Sequence, residues 1–303
     1  MSARARIAIV GGGLMGHGIA QVFARAGHAV RVFDTVPAIL ATLDERIRKN
    51  LADLGQDPEA AQRVSGHARL ADAVADAEIV FEAGPENLGI KQDLFAAIEA
   101  AAPRGAILAS NTSVIPITQI MARLKHGERA LGTHWWNPPY LVPLVEVIKT
   151  ATTSAHAVAT MTELLAGAGK TPVTVEKDVP GFVGNRLQHA LWREAIALVA
   201  NGVCDAKTVD TVVKASFGRR LAVLGPLENA DLVGTDLTLA IHATVLPDLD
   251  RTPGALPYLE KLVADGRLGM KSGEGFQRWT PEQQAALRAR VLGYLKALDE
   301  QGI

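Results

Sequence analysis

One turn restricts this chain more than any other feature. Residues Arg6 to Val10 (RIAIV) form a short apolar run rich in β-branched side chains, and Gly11-Gly12-Gly13 follows at once. Leu14 to Ala26 then carries Ile19, Val22, Phe23 and Ala26 at helical spacing, with Gly27 as a stop. A glycine pattern, Gly11-x-Gly13-x-x-Gly16, therefore sits between a predicted strand and a predicted helix. Such a turn lets backbone approach a pyrophosphate and aims the first helical amides at it, with Leu14 and Met15 in the same turn. A second strand, Ala29 to Phe33, closes on Asp34, which lies 18 residues after Gly16. A carboxylate there accepts hydrogen bonds from ribose hydroxyls and repels a 2′-phosphate. Thr35 and Val36 follow it rather than an arginine, so the pattern points to NAD over NADP. The bland alternative is a glycine turn that only connects two elements, which leaves three adjacent glycines unexplained.

Strand-like and helix-like runs continue to alternate. A helix is predicted over Pro37 to Leu54, strands over Glu78 to Phe81 and Ala106 to Ala109, and a helix between them over Asn87 to Ala101. Arg129 to Thr133, Leu144 to Ile148 and Pro172 to Val175 read as later strands, with a helix over Ser154 to Ala168. Apolar strands separated by helices imply a parallel sheet covered on both faces. Beyond Pro180-Gly181 the alternation stops, and helices are predicted over roughly 182–201, 205–216, 227–245, 255–265 and 281–298. The expected organisation is α/β: a Rossmann-like dinucleotide-binding domain over 1–180, then an all-helical domain over 181–303.

Composition narrows the function. Thirty-one Lys and Arg against 32 Asp and Glu leave a net charge of −1, giving no field for gripping nucleic acid or an anionic membrane. Aromatic residues are only 5%, too few for a base-stacking platform. The single cysteine, Cys204, cannot form an internal disulfide or a cysteine-based zinc site. No apolar run reaches the ~18 residues of a membrane helix, and no signal-peptide pattern is present. The expectation is a soluble, cytoplasmic protein.

His134 ends one predicted strand, and Glu146 lies inside another among Leu144, Val145, Val147 and Ile148. A carboxylate in so apolar a strand needs a partner, and His134 is the obvious one. An imidazole oriented by a buried carboxylate can act as a general base; a structural ion pair is the alternative.

Taken in order, the motifs carry a family resemblance. IVGGGLMGHGIAQVFARAGHAVRVFD (Ile9–Asp34), PENLGIKQDLF (Pro85–Phe95), SNTS (Ser110–Ser113), GTHWWNPPYLVPLVEVIKT (Gly132–Thr150), DVPGFVGNR (Asp178–Arg186) and KSGEGF (Lys271–Phe276) span nearly the whole chain. It resembles the L-3-hydroxyacyl-CoA dehydrogenases and their relatives acting on carnitine, gulonate and pyridine carboxylates. The resemblance implies NAD-dependent oxidation of a secondary alcohol, with a helical domain that dimerises and no metal. It implies His134 as the base, Glu146 as its orienting partner, Ser113 on the substrate hydroxyl and Asn185 on the reacting oxygens. Glu86, Lys91, Asn137 and Lys271 match positions lining the cofactor, beside Gly11, Gly13, Leu14, Met15, Gly16 and Asp34.

Each of these has a plainer reading. Ser113 could cap a helix near Pro116, Asn185 could cap or bridge, Glu86 and Lys91 could sit on a solvated face, and Lys271 could be a surface lysine. Trp135 and Trp136 follow the base, and Trp135 is a candidate wall of the substrate pocket. The leading reading is (S)-3-hydroxyacyl-CoA dehydrogenase. The alternative is a dehydrogenase of a small free hydroxy acid, and a third is an NAD-binding protein without turnover.

Departures from the acyl-CoA pattern support the second reading. Relatives acting on CoA esters carry a longer lysine-rich segment after the second strand, whereas Asn50–Gly66 is short and acidic on balance. Phe217–Glu228 resembles the small-acid relatives, and Arg219 with Arg220 could fork onto a compact carboxylate. Pro281 to Ala297 adds a helix with Leu287, Val291 and Leu295 on one face.

Overall fold

The structure is a computed structural model and describes residues 4–301. The chain forms two compact units, Met1–Arg186 and Leu187–Ile303.

The first unit is built on an eight-stranded sheet of order β3-β2-β1-β4-β5-β6-β7-β8. Its strands are β1 (Arg6–Val10), β2 (Ala29–Phe33), β3 (Val64–His67), β4 (Ile79–Glu82), β5 (Ile107–Ser110), β6 (Ala130–Trp135), β7 (Leu144–Ile148) and β8 (Thr171–Val175). The central strands are apolar at nearly every position because both faces are covered. Ile7, Ile9, Val30, Val32, Phe81 and Leu131 pack beneath α1 (Leu14–Arg25) and α3 (Leu43–Asp53). Ala8, Val10, Val80, Leu108 and Ala130 point the other way, toward α4 (Leu70–Val74), α5 (Leu88–Ala101) and α6 (Ile117–Ile120). The sequence order of the strands reverses between β1 and β4, and in open α/β sheets ligands bind in the crevice at the carboxyl ends of such a pair.

The sheet is not wholly parallel. β6 and β7 run antiparallel, with His134 opposite Glu146, because the Pro-rich segment 136–143 returns the chain directly without a crossover helix. The helix expected over Pro37 to Leu54 is two, α2 (Pro37–Ala41) and α3, broken at Thr42. α7 (Ala155–Gly167) begins at Ser154, whose side chain accepts from Ala157 N at 3.2 Å.

α8 (Gly184–Ala200) leads into the second unit, which holds α9 (Ala206–Ala215), α10 (Pro226–Val233), α11 (Thr235–Val245), α12 (Pro257–Ala264) and α13 (Pro281–Gln301). Asp205 caps α9 by accepting from Thr208 N at 2.7 Å. The expected 227–245 helix divides at Gly234, whose φ of 103° a side chain rarely tolerates. Among the described residues no helix is long and apolar enough to cross a membrane.

Candidate active site

The glycine turn follows β1 with the geometry its sequence demands. Gly11 has φ 108°, and a Cβ there would lie 2.7 Å from Ala83 O, at the end of β4. A Cβ on Gly16 would collide with Gly11 O, so the third glycine lets α1 sit on the strand. Gly13 differs: nothing lies within 4 Å of where its Cβ would be. No side chain caps α1, so the amides of its first turn are left for a ligand. Open space over Gly13 and uncapped amides of Leu14, Met15 and Gly16 fit a pyrophosphate. Asp34 Oδ2 accepts from Gly12 N and Oδ1 from Val36 N, both at 2.8 Å. These bonds orient the carboxylate and leave lone pairs for ribose hydroxyls.

Two residues of this region had no signal in the sequence. Arg46, on α3, donates from Nη2 to Gly12 O and Ile39 O, each at 3.0 Å, and lies in the field of Asp34. It ties the turn to the helix that follows β2. His17, on α1, holds Gly13 O through Nδ1 at 2.8 Å and faces Asn50 Nδ2 through Nε2 at 3.2 Å. Burial pushes its pKa below 6.5, against a smaller opposing effect of the Gly13 carbonyl.

After β4 a buried charge cluster organises the next loop. Lys91 Nζ reaches Glu82 Oε1 at 2.8 Å, Oε2 at 3.0 Å and Gly84 O at 3.4 Å. Ser110 Oγ donates to Glu82 Oε2 at 2.7 Å. Lys91 and Glu82 are both 0% exposed, which corrects the placement of Lys91 on a solvated face. All three of these hydrogen bonds from the Lys91 ammonium go to protein acceptors. Glu86 Oε1 accepts from Thr112 Oγ1 at 2.5 Å, Ser113 N at 3.1 Å and Val114 N at 3.3 Å. Helical spacing alone could not have revealed either arrangement, because the partners lie on strands β4 and β5 and in the loop after β5.

His134 and Glu146 meet as the register brings them together, Nδ1 to Oε2 at 2.6 Å. Both are buried. Glu146 Oε1 accepts from Val183 N at 2.9 Å and Gly184 N at 3.1 Å. Burial alone would raise the Glu146 pKa; the hydrogen bonds from His134, Gly184 and Val183 outweigh it and hold the carboxyl below its ordinary value. Two aromatic rings neighbour the imidazole, Trp136 at 5.0 Å and Phe182 at 5.7 Å between centroids. Phe182 adopts φ 50°, a conformation that costs a bulky residue about 1–3 kcal/mol and persists where surroundings enforce it. That turn is what delivers the Val183 and Gly184 amides to Glu146.

Ser113 does not cap α6, whose cap is Pro116. It is exposed, and its loop is fixed at both ends of the residue: the amide by Glu86, the carbonyl by Asn185 Nδ2 at 2.8 Å. Trp135 is a correction. It is 2% exposed and packs edge-on against Phe23 and Phe81 in the core, so it cannot wall a pocket. Trp136, the residue just past the end of β6, not Trp135, lies beside His134. Asn137 is exposed at the start of the loop after β6. Arg219, Arg220 and Lys271 belong to the second unit, where all three are exposed.

Comparison with known proteins joins these features. The family described as "3-hydroxyacyl-CoA dehydrogenase, NAD binding domain" matches residues 6–179, and "3-hydroxyacyl-CoA dehydrogenase, C-terminal domain" matches 181–279. The chain belongs to the 3-hydroxyacyl-CoA dehydrogenase family. It is accordingly an NAD-dependent dehydrogenase acting on a CH–OH group.

The chain is 38% identical over 292 residues to 5-formyl-3-hydroxy-2-methylpyridine 4-carboxylate 5-dehydrogenase of Mesorhizobium japonicum, covering 93% of each. It is 40% identical to L-carnitine dehydrogenase of Streptomyces griseus subsp. griseus, over 76% of this chain and 70% of that protein. To a probable 3-hydroxybutyryl-CoA dehydrogenase of Bacillus subtilis it is 36% identical, over 89% and 96%.

A crystal structure of the pyridine-carboxylate enzyme, described as an NAD+ dependent dismutase, superposes with a TM-score of 0.91 at 36% identity, covering 98% of both chains. (S)-3-hydroxybutyryl-CoA dehydrogenase from Ralstonia eutropha gives 0.76 at 32% identity, covering 92% of this chain and 100% of its own.

Proposed function

We propose that this dehydrogenase oxidises a compact, free hydroxy acid. The observation that carries the proposal is the state of the cations after β2. Arg46 is bound to Gly12 O and Ile39 O, Arg48 to Asp44 and Glu59, Lys49 to Asp53, and Arg63 to Ala24 O. The 3′-phosphate and pyrophosphate of coenzyme A need cations to replace their hydration, and this patch carries no surplus of them. The fuller superposition on the pyridine-carboxylate enzyme supports the same reading. The (S)-3-hydroxyacyl-CoA reading keeps support from near full-length relatives such as that of Bacillus subtilis.

His134 Nδ1 is held by Glu146, which leaves Nε2 to take the proton of the substrate hydroxyl. Glu146 stabilises the imidazolium that results. Ser113 presents its hydroxyl from a loop held by Glu86 and Asn185, and together Ser113 and Asn185 hold the reacting oxygen. Gly11, Gly13, Gly16, Asp34 and Glu86 would bind the dinucleotide, with Asn137 and Lys271 lining it. When bound, NAD supplies the two-electron acceptor.

Arg219 and Arg220 would receive the substrate carboxylate. The protein would act as a cytoplasmic homodimer formed through its helical unit. A screen of free hydroxy acids and CoA esters by NADH absorbance tests the reading. Turnover of free acids is expected; efficient turnover of 3-hydroxybutyryl-CoA with none on any free acid sinks it.

A further inference from the structure

Gly184 occupies the first turn of α8, where helix propensity alone favours alanine. Its φ lies outside the left-handed region, so the backbone does not require glycine. What excludes a side chain is Trp136. A Cβ on Gly184 would lie 2.5 Å from Trp136 Cζ2, 3.3 Å from Cη2 and 3.4 Å from Cε2. The six-membered ring of the indole thus rests on bare backbone at Gly184. The amide of that same residue donates to Glu146 Oε1 at 3.1 Å, and the Trp136 ring lies 5.0 Å from the His134 ring between centroids.

We propose that Trp136 and Gly184 form a matched pair that positions the His134–Glu146 dyad, with glycine present at 184 because the indole is present at 136. The indole keeps water from the Gly184–Glu146 hydrogen bond and sets the tilt of the imidazole. A methyl at 184 must move the ring, and moving the ring moves both the imidazole and the amide that holds the carboxylate. Trp136 is a positioning residue. Its N–H has no partner among the described residues, so exchange for phenylalanine removes bulk without breaking a hydrogen bond of the chain. The proposal rests on His134 as the base, but not on which substrate is oxidised.

The test is a double-mutant cycle on the full chain, using whichever substrate the NADH screen identifies. Gly184→Ala, Trp136→Phe and the double variant are compared for kcat, KM, NAD Kd and thermal unfolding. Gly184→Ala should lower kcat by at least about tenfold while NAD Kd stays within about twofold, because small misplacements near the reacting atoms are costly. Trp136→Phe should have a smaller effect. The double variant should return to the level of Trp136→Phe, since a phenyl ring leaves room for the methyl.

An unchanged kcat in Gly184→Ala, or a double variant as impaired as the product of the single effects, overturns the proposal. If Gly184→Ala does not fold, recovery of a folded, active double variant still supports the pair, and failure of both overturns it. Native turnover in His134→Gln would instead remove the base assignment, a separate outcome.

Discussion

Glu146 has three hydrogen-bond donors and almost no water, and that environment makes its protonation state a stability term. Its native pKa lies below the ordinary 4.5, so the unfolded chain binds its proton more readily than the folded one. The stability it confers is complete above pH 4.5 and is lost as pH falls through the lower native value. The stability gap between wild type and Glu146→Gln, measured by urea unfolding, should therefore narrow on going from about pH 6 to about pH 3. Parallel curves would remove the linkage.

His134→Gln should lower turnover roughly 10²–10⁴-fold with NAD still bound. Glu146→Gln should lower turnover as well and shift the acidic limb of the pH–rate profile to lower pH, because an amide does not stabilise imidazolium. At the NAD end, Asp34→Ala should weaken NAD binding by about 1.5–3 kcal/mol, the value of hydrogen bonds to a charged group. An unchanged NAD titration would exclude that role. The dyad was legible in the sequence because a carboxylate inside an apolar strand advertises a missing partner. Lys91 was not, because its partner Glu82 sits at the end of a neighbouring strand and helical spacing does not report across strands. Trp136 was within reach: continuing the strand's alternation one residue past its end, from His134, selects it over Trp135.

At the scale of elements, the three glycines of the turn have separable duties. Gly16 packs helix on strand and Gly11 passes Ala83, whereas the Cβ position of Gly13 is open. Gly13→Ala should then keep its stability within about 0.5 kcal/mol, the usual range where nothing is displaced. It should still lose NAD affinity by roughly tenfold or more, because the backbone can no longer approach the pyrophosphate. Gly16→Ala should lose stability first. Thermal unfolding and NAD titration of both variants separate the two, and equal melting losses would contradict the division.

Strands with continuous apolar runs were legible, and Leu144–Ile148 has the predicted bounds. β3 was not, since Val64-Ser-Gly-His at the sheet edge offers one apolar residue and no alternation. The break at Thr42 also escaped, because Leu40, Leu43 and Ile47 keep helical spacing across it. Antiparallel pairing of β6 with β7 follows from a short return loop, a topological fact that residue patterns carry weakly.

For the whole molecule, strand–helix alternation that stops near Pro180 made an α/β unit followed by helices readable, and the fold agrees. Less readable was how little the helical unit covers itself. Among the described residues, its only buried hydrophobic side chains are Ala197 and Leu262. Val203, Val223, Leu227, Leu232 and Leu239 are 67–80% exposed, and an apolar groove of about 370 Å³ is lined by Trp192, Val199, Val209, Phe276 and Trp279. Burying apolar surface is worth roughly 25 cal/mol per Å², so a partner covering this face would gain from it. A second copy of the chain can cover it symmetrically, with an obligate interface of about 2,000 Å² or more. Light scattering should then give twice the chain mass at micromolar concentration, and Leu227→Glu with Leu239→Glu should yield monomer or lower the melting temperature with a new dependence on concentration. A wild-type monomer at every concentration, unfolding independently of dilution, would exclude the dimer.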